Sequence, residues 1–229
     1  MLPLIGAALA YLLGSIPSAF LAGKWVRGID LREHGSGNLG ATNALRVLGW
    51  KIGVPVLLID IAKGAIPAAY FSQWFAPAEV AHADWYAIGY GVCAIIGHVR
   101  PIFLLWKGGG KGVATAAGVF LALTPLPTLA AIGIFVVVLF VSGYVSLGSL
   151  TSAVALPVLV ALRYGMQSPK LWLALLVALF VFWTHRANIS RLRRGEEHRF
   201  GRKKKKNDDE SSRERRADSR ADARAGEPS

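Results

Sequence analysis

The chain has 229 residues, of which 53% are apolar and only 17% charged, and it carries a net charge of +12. A soluble domain usually has about a quarter of its residues charged, so this composition argues against one. The charge is also concentrated: residues 199–229 hold eleven Lys/Arg and seven Asp/Glu, which leaves residues 1–198 more apolar than the average. Cys93 is the single cysteine, so neither a disulfide within the chain nor a cysteine-built metal cluster is available.

The N-terminal run, Met1 to Trp25, has no basic region ahead of its apolar stretch and reads as a retained span instead of a signal peptide. Apolar runs follow near 53–73, 85–106, 113–141, 145–162 and 170–185, each bounded by charge, Gly or Pro. None alternates with the period of two that a membrane barrel needs. Helices are then the only structure that satisfies the backbone in hydrocarbon. The run 113–141 contains Thr124-Pro125-Leu126-Pro127-Thr128. Two prolines this close end a helix, which divides the run into 113–123 and 128–141. The first piece is short against the roughly 20 residues of a full crossing. The expectation is an all-α integral membrane protein of about seven transmembrane helices.

Orientation follows from the connections. Lys24, Arg27, Arg32, Arg46 and Lys51 crowd the first, whereas 74–84 holds Glu79 and Asp84 and no Lys or Arg. Arg100, Lys107 and Lys111 mark the third, and Arg191, Arg193, Arg194 and Lys203 to Lys206 mark the end of the chain. Basic connections stay in the cytoplasm. The N-terminus is therefore expected outside and the C-terminus inside, which requires an odd number of crossings. The division is a membrane domain over 1–198 and a charged tail over 199–229. The tail has too few apolar residues to fold alone and is expected to be disordered, with Lys203–Lys206 near anionic headgroups.

Three polar segments fall on the cytoplasmic side. The first is His34-Gly35-Ser36-Gly37-Asn38-Leu39-Gly40-Ala41-Thr42-Asn43, followed by Arg46. Its glycines permit close backbone approach, its Ser, Asn and Thr supply neutral hydrogen-bonding groups, and Arg46 supplies a forked cation suited to phosphate. The second contains Gly97-His98 and then Lys107-Gly108-Gly109-Gly110-Lys111-Gly112-Val113-Ala114-Thr115 at the start of a helix. Glycine-rich backbone leading into a helix N-terminus is an anion site. It is not a nucleotide P-loop, because Gly112 stands where Ser or Thr must follow the lysine and no strand precedes it. The third is His185-Arg186-Ala187-Asn188-Ile189-Ser190-Arg191-Leu192, then Gly195-Glu196-Glu197. Each segment alone could be a topology-setting turn. Together on one face they suggest a phosphate-bearing ligand at the membrane–water boundary. Asp60 and Lys63, three residues apart mid-span, are expected to pair. His98 could serve as a base or as a structural residue, and Ser146 and Ser149 could line the site or pack against neighbours.

The chemistry is narrowed by what is missing. No Asp/Glu cluster suits two-metal phosphoryl transfer, no nucleophile stands beside an evident base, and no Asp follows a histidine by four residues. What remains is positioning and electrostatic stabilisation of an already activated substrate. A transporter for a phosphorylated solute would fit the basic residues loosely. But no internal repeat is visible, and the polar motifs sit at one surface instead of the midplane. A cytidine-nucleotide-dependent phosphatidyl transferase would need several aspartates on one helix.

The three segments, with Asp60-Ile-Ala-Lys-Gly64 and Gly97-His-(two)-Pro101, resemble in order and spacing the bacterial acyl-phosphate-dependent glycerol-3-phosphate acyltransferase family. The resemblance covers about residues 1–197. It implies a multi-pass enzyme of the bacterial inner membrane, its active site facing the cytoplasm, that moves a fatty acyl group from acyl phosphate to the 1-hydroxyl of glycerol 3-phosphate. The product would be lysophosphatidic acid. No metal or other cofactor and no nucleic acid is implied. Membrane lipid is the surroundings, and a soluble phosphate acyltransferase would supply the donor. By motif position it implies Ser36, Arg46, Lys111, Asn188 and His185 as catalytic. Arg46, Gly108, Gly109, Gly110, Lys111, Gly112 and Thr115 would bind phosphate, and Asn38, Asn43, His98 and Ser146 would support them. The sequence departs from the family pattern in its third glycine before Lys111, which puts the role of Lys107 in doubt. It departs again at Ala187, where a polar residue is usual.

Overall fold

The structure is a computed structural model that describes residues 1–76 and 83–200. The expected tail from 201 onward, Lys203–Lys206 included, and part of the second connection lie outside the described residues. Every regular element there is helical. In chain order these are α1 (Leu2–Ser15), α2 (Ser18–Arg27), α3 (Ala41–Leu48), α4 (Trp50–Ile66), α5 (Ser72–Phe75), α6 (Ala83–Val99), α7 (Val113–Leu123), α8 (Pro125–Ser142), α9 (Val145–Tyr164), α10 (Pro169–Thr184) and α11 (Arg186–Arg193).

Proline sets most of the breaks. Pro17 disfavours helical backbone at Ile16, so α1 and α2 form one 26-residue span with a break at Ile16–Pro17. Pro67 starts a π-helical turn, Pro67–Phe71, that carries α4 into α5 within a second 26-residue span, Trp50–Phe75. The division expected at Thr124 is present: α7 stops at Leu123 and Pro125 opens α8, three residues earlier than the sequence suggested. The bend of 58° between α10 and α11 has no proline. Instead the Val181 carbonyl accepts from the backbone N–H of His185 (3.0 Å), the ring Nδ1–H of His185 (2.8 Å) and Oγ1 of Thr184 (3.1 Å). Side-chain donors that crowd one helical carbonyl bend the helix there.

Among the described residues, five helical segments are long and apolar enough to cross a membrane: Leu2–Arg27, Trp50–Phe75, Asp84–Leu104, Pro125–Ser142 and Val145–Tyr164. The bent pair α10–α11 makes a sixth candidate. The seven tryptophans are 53 to 79% exposed and stand near helix ends. Trp25, Trp50, Trp106 and Trp183 belong to one end of the bundle, and Trp74, Trp85 and Trp172 to the other. Two such girdles are what membrane–water interfaces select.

At the centre lies α7. Its eleven residues rise about 16 Å, roughly half the hydrocarbon thickness. Thr115, Ala116, Gly118, Val119, Phe120 and Leu123 are buried between α4, α6 and α10. Two glycines make that possible. A Cβ at Gly64 would collide with the Thr115 carbonyl, and one at Gly118 with the Ile61 carbonyl. Lipid tails give helices no hydrophobic reason to associate, so such small-residue contacts carry the packing. Gly14 and Gly97 do the same for α1 against α6. By contrast α8 is held mainly by α9 and otherwise faces outward. Gly118→Ala is expected to cost about 1–3 kcal/mol, seen as a lower thermal-unfolding midpoint of the purified protein in detergent, whereas Gly133→Ala on α8, where a Cβ meets nothing within 4 Å, should leave the midpoint in place.

Candidate active site

Two loops and a helix end build one polar chamber. The first loop is shaped by Asn43, buried at the start of α3. Its Oδ1 accepts from the Ser36 backbone N–H (2.9 Å), and its Nδ2 donates to the carbonyls of Leu31 (3.2 Å) and His34 (3.0 Å). One amide thus closes the turn that presents Ser36. Arg46 projects from α3 one turn further on. The glycine loop leans on this turn: Asn38 Nδ2 donates to the Gly109 carbonyl (3.3 Å), and Arg32 donates to that of Lys107 (3.4 Å).

The glycines of that loop differ in purpose. Gly108 and Gly112 have φ of 79° and 82°, where other residues are strained. Gly109 and Gly110 instead lie on the end of α6. A Cβ at Gly109 would strike the His98 and Val99 carbonyls, and one at Gly110 would strike the His98 ring. Gly112 then caps α7, whose first N–H groups, from Val113 and Ala114, border the chamber. A helix start of this kind favours anions by backbone and dipole.

Lys111 completes it. Its Nζ donates to Asn188 Oδ1, Asn188 Nδ2 donates to Glu197 Oε1 (2.5 Å), and Arg191 Nε donates to Glu197 Oε2 (2.7 Å). Ser146 Oγ on α9 also donates to Glu197 (2.8 Å). Burial alone would raise the Glu197 pKa, but hydrogen bonds from Asn188, Ser146 and Arg191, with the charge of Arg191, hold it below the usual carboxylate range. The Lys111 ammonium is pushed down to about 8, first by burial and then by Arg191 and Arg46, against the pull of Glu197. His185, at the bend, must donate through Nδ1 because its partner there is the Val181 carbonyl, so a neutral ring keeps Nε2 as an acceptor.

The chamber opens into a cavity of about 330 Å³. Ser36, Arg46, Lys111, His185, Asn188 and Arg191 line its polar end. The remainder is walled by apolar residues, among them Leu57 and Ile61 of α4, Phe120 of α7, Ile132 and Phe135 of α8, Leu156 of α9 and Val177 of α10. Across it, α4 and α8 make no more than marginal contact with each other.

Of the residues singled out in the sequence, Ser36, Asn38, Asn43, Arg46, His98, Lys111, Gly112, Ser146, His185 and Asn188 line this one cavity. Gly108, Gly109 and Gly110 shape the loop from behind. Thr115 stands apart: expected among the phosphate-binding residues, it is fully buried with Oγ1 unpartnered, packed against Gly64. One turn into α7 it faces α4 instead of the cavity. Asp60 and Lys63 pair as expected, at 2.8 Å. Glu197 and Arg191 were visible in the third segment but not singled out. The signal was a carboxylate inside a cationic run, which needs a reason to be there. Among the described residues no three His, Cys, Asp or Glu side chains gather as a metal site.

The chain is thus a polytopic helical protein whose cationic, glycine-framed chamber opens on an apolar cavity. Comparisons agree. Residues 4–195 match the glycerol-3-phosphate acyltransferase family, and the chain belongs to it: it is a membrane acyltransferase. Its relatives include the glycerol-3-phosphate acyltransferase of Chlorobaculum tepidum, 43% identical over 85% of this chain and 95% of the relative. That of Synechococcus sp. is 44% identical over 86% and 95%. Two crystal structures of PlsY (YgiH), an integral membrane glycerol 3-phosphate acyltransferase, superpose well. The glycerol 3-phosphate form has a TM-score of 0.78 at 38% identity, over 87% of this chain and 96% of the other. The lysophosphatidic acid form has 0.76 at 37%, over 87% and 95%.

The Lys111 position gives a pH test. Its ammonium is lost as pH rises through about 8, well before an ordinary lysine near 10.4. Since kcat/KM reports the free enzyme, kcat/KM should fall between pH 7 and 9 in steady-state assays, and Lys111→Arg, charged throughout, should flatten the profile at a lower ceiling.

Proposed function

We propose that this protein transfers a fatty acyl group from acyl phosphate to the 1-hydroxyl of glycerol 3-phosphate, giving lysophosphatidic acid and phosphate, as an early step of phospholipid synthesis. The observation that carries the reading is the cavity itself: three cations, Arg46, Lys111 and Arg191, and a helix N-terminus at one end, hydrocarbon walls at the other. Acyl phosphate and lysophosphatidic acid both have this bipartite form. The crystallised relatives in glycerol 3-phosphate and lysophosphatidic acid forms support the acceptor and the product.

In this reading Arg46, Lys111 and the N–H groups that open α7 hold phosphate oxygens. Ser36 and Asn188 orient substrate by hydrogen bonds, Asn188 being fixed between Lys111 and Glu197. His185 Nε2 accepts from a glycerol hydroxyl. The glycerol oxygen attacks the acyl carbonyl, a C–O ester bond forms, the carbonyl–phosphate bond breaks, and phosphate departs. The hydroxyl proton passes to a substrate phosphate, so no acyl-enzyme forms. Effective orientation and preorganised charge supply the rate.

The membrane arrangement we infer is seven crossings: the five long segments, the bent α10–α11 pair, and the short α7 as a partial one. The N-terminus lies outside, and the chamber, with Arg46, Lys111 and Asn188, faces the cytoplasm of a bacterial inner membrane. The basic residues of the first and third connections support this orientation. A soluble phosphate acyltransferase would deliver the donor.

Purified protein in lipid, given glycerol 3-phosphate and, in separate reactions with chelator, palmitoyl phosphate, palmitoyl coenzyme A or palmitoyl carrier protein, should form lysophosphatidic acid from palmitoyl phosphate alone. Ser36→Ala and Lys111→Ala should each lower kcat/KM by about a hundredfold or more. No product from any donor with folded protein would overturn the reading in favour of a transporter.

A further inference from the structure

Beneath the glycine loop lies a buried polar cluster to which the proposed chemistry assigns nothing. Asp60, on α4, is fully buried. Its Oδ1 accepts from Ser18 Oγ (2.6 Å) at the start of α2 and from Lys63 Nζ (2.8 Å), and His98 Nδ1 on α6 stands 3.7 Å away. Lys63 in turn donates to the Ile16 carbonyl (3.0 Å), beside the break between α1 and α2. Asp60 Oδ2 has no partner. A carboxylate and an ammonium at this depth are costly unless something depends on them.

The far side of His98 shows what does. Its Nε2 edge lies where a Cβ on Gly110 would be, and the Gly110 N–H donates to the His98 carbonyl (3.3 Å). Gly109 rests on the carbonyls of His98 and Val99. The ring is therefore a spacer between a fixed carboxylate and the underside of the loop, immediately before Lys111. Ring and carboxylate are buried, and both border the cavity. The loop's four glycines have no side chains with which to hold themselves, so the loop depends on contacts from its surroundings: Asn38, Arg32, Thr184 and, beneath it, the His98 ring.

We propose that His98, packed between Asp60 and Gly110, is a positioning residue that sets the height of the glycine loop and so the affinity for a phosphate-bearing substrate. This rests on the acyltransferase reading above. The cluster joins the α1–α2 break, α4 and α6 to the loop. Three spans thus fix one backbone segment, while Lys111 is fixed from the opposite side by Asn188.

The test is steady-state kinetics of full-length protein in lipid, with glycerol 3-phosphate and palmitoyl phosphate varied in turn. His98→Ala should raise KM for one of them about tenfold or more, because a displaced loop holds the phosphate less well, with kcat changed far less. Gly110→Ala should show the same defect, because its Cβ meets the ring. The double variant, in which the smaller side chain makes room, should be better than Gly110→Ala alone. A role confined to general stability would lower the amount of active protein without producing that split between KM and kcat. If His98→Ala does not fold, His98→Asn keeps a donor toward Asp60, removes the ring edge and should give the same KM defect and the same rescue. Unchanged KM values for both substrates, or a Gly110→Ala defect indifferent to residue 98, would overturn the proposal while leaving the acyltransferase reading intact. Wild-type protein without product would instead remove that reading, and this one with it.

Discussion

The close approach of α4 and α7 governs the rest of the molecule. An eleven-residue helix cannot cross the hydrocarbon alone, and inside it every backbone group needs a partner or a neighbour that excludes lipid. Gly64 and Gly118 let the two backbones touch, and the Ile61 and Thr115 carbonyls mark the contact. That contact fixes where α7 begins. Gly112, Lys111 and the loop before them therefore stand at a set height, with α3 and α11 to either side. A side chain at either glycine would shift the helix, and the N–H groups at its start would shift with it.

The chamber places more positive than negative charge in a half-buried site, and one anion regulates it. Glu197 accepts from Asn188, Ser146 and Arg191. Two of these donors lie on α11 and one on α9, so the carboxylate joins the bend at His185 to the outer α8–α9 pair. Without it, Arg191 would face Lys111 and Arg46 with no counter-charge, and the Asn188 amide could turn either way. Loop and helix end remain distinct in sequence but are one electrostatic unit in space.

Much of this was legible in the sequence. The spans follow from runs of apolar residues, because hydrocarbon tolerates little else, and the break at Thr124 follows from the prolines beside it. The residues that meet at the cavity were legible because Gly, Ser, Asn and Arg together are rare beside a span. What could not be read is which face each residue presents. Thr115 follows the glycine loop by only three residues, yet three residues into a helix is almost a full turn, and it points at α4. The division between Gly108 and Gly112, which need their backbone angles, and Gly109 and Gly110, which need to lack a Cβ, also depends on the end of α6 beneath them. Glu197 was hidden for another reason. Its partners are on α9 and α11, and only packing shows that a carboxylate in a basic run has been taken out of solvent.

The last residues described reach back into the bundle. The family match stops at residue 195, and composition changes at about 199. But Glu197 belongs to the chamber, Arg199 lies over the Tyr144 ring and donates to its hydroxyl at 3.2 Å, and the Phe200 N–H donates to the Gly143 carbonyl at 2.7 Å. Three residues thus fasten the end of α11 across to the α8–α9 turn. A chain shortened to the limit of family similarity would lose Glu197 from the chamber, together with the contacts of Arg199 and Phe200 at the α8–α9 turn.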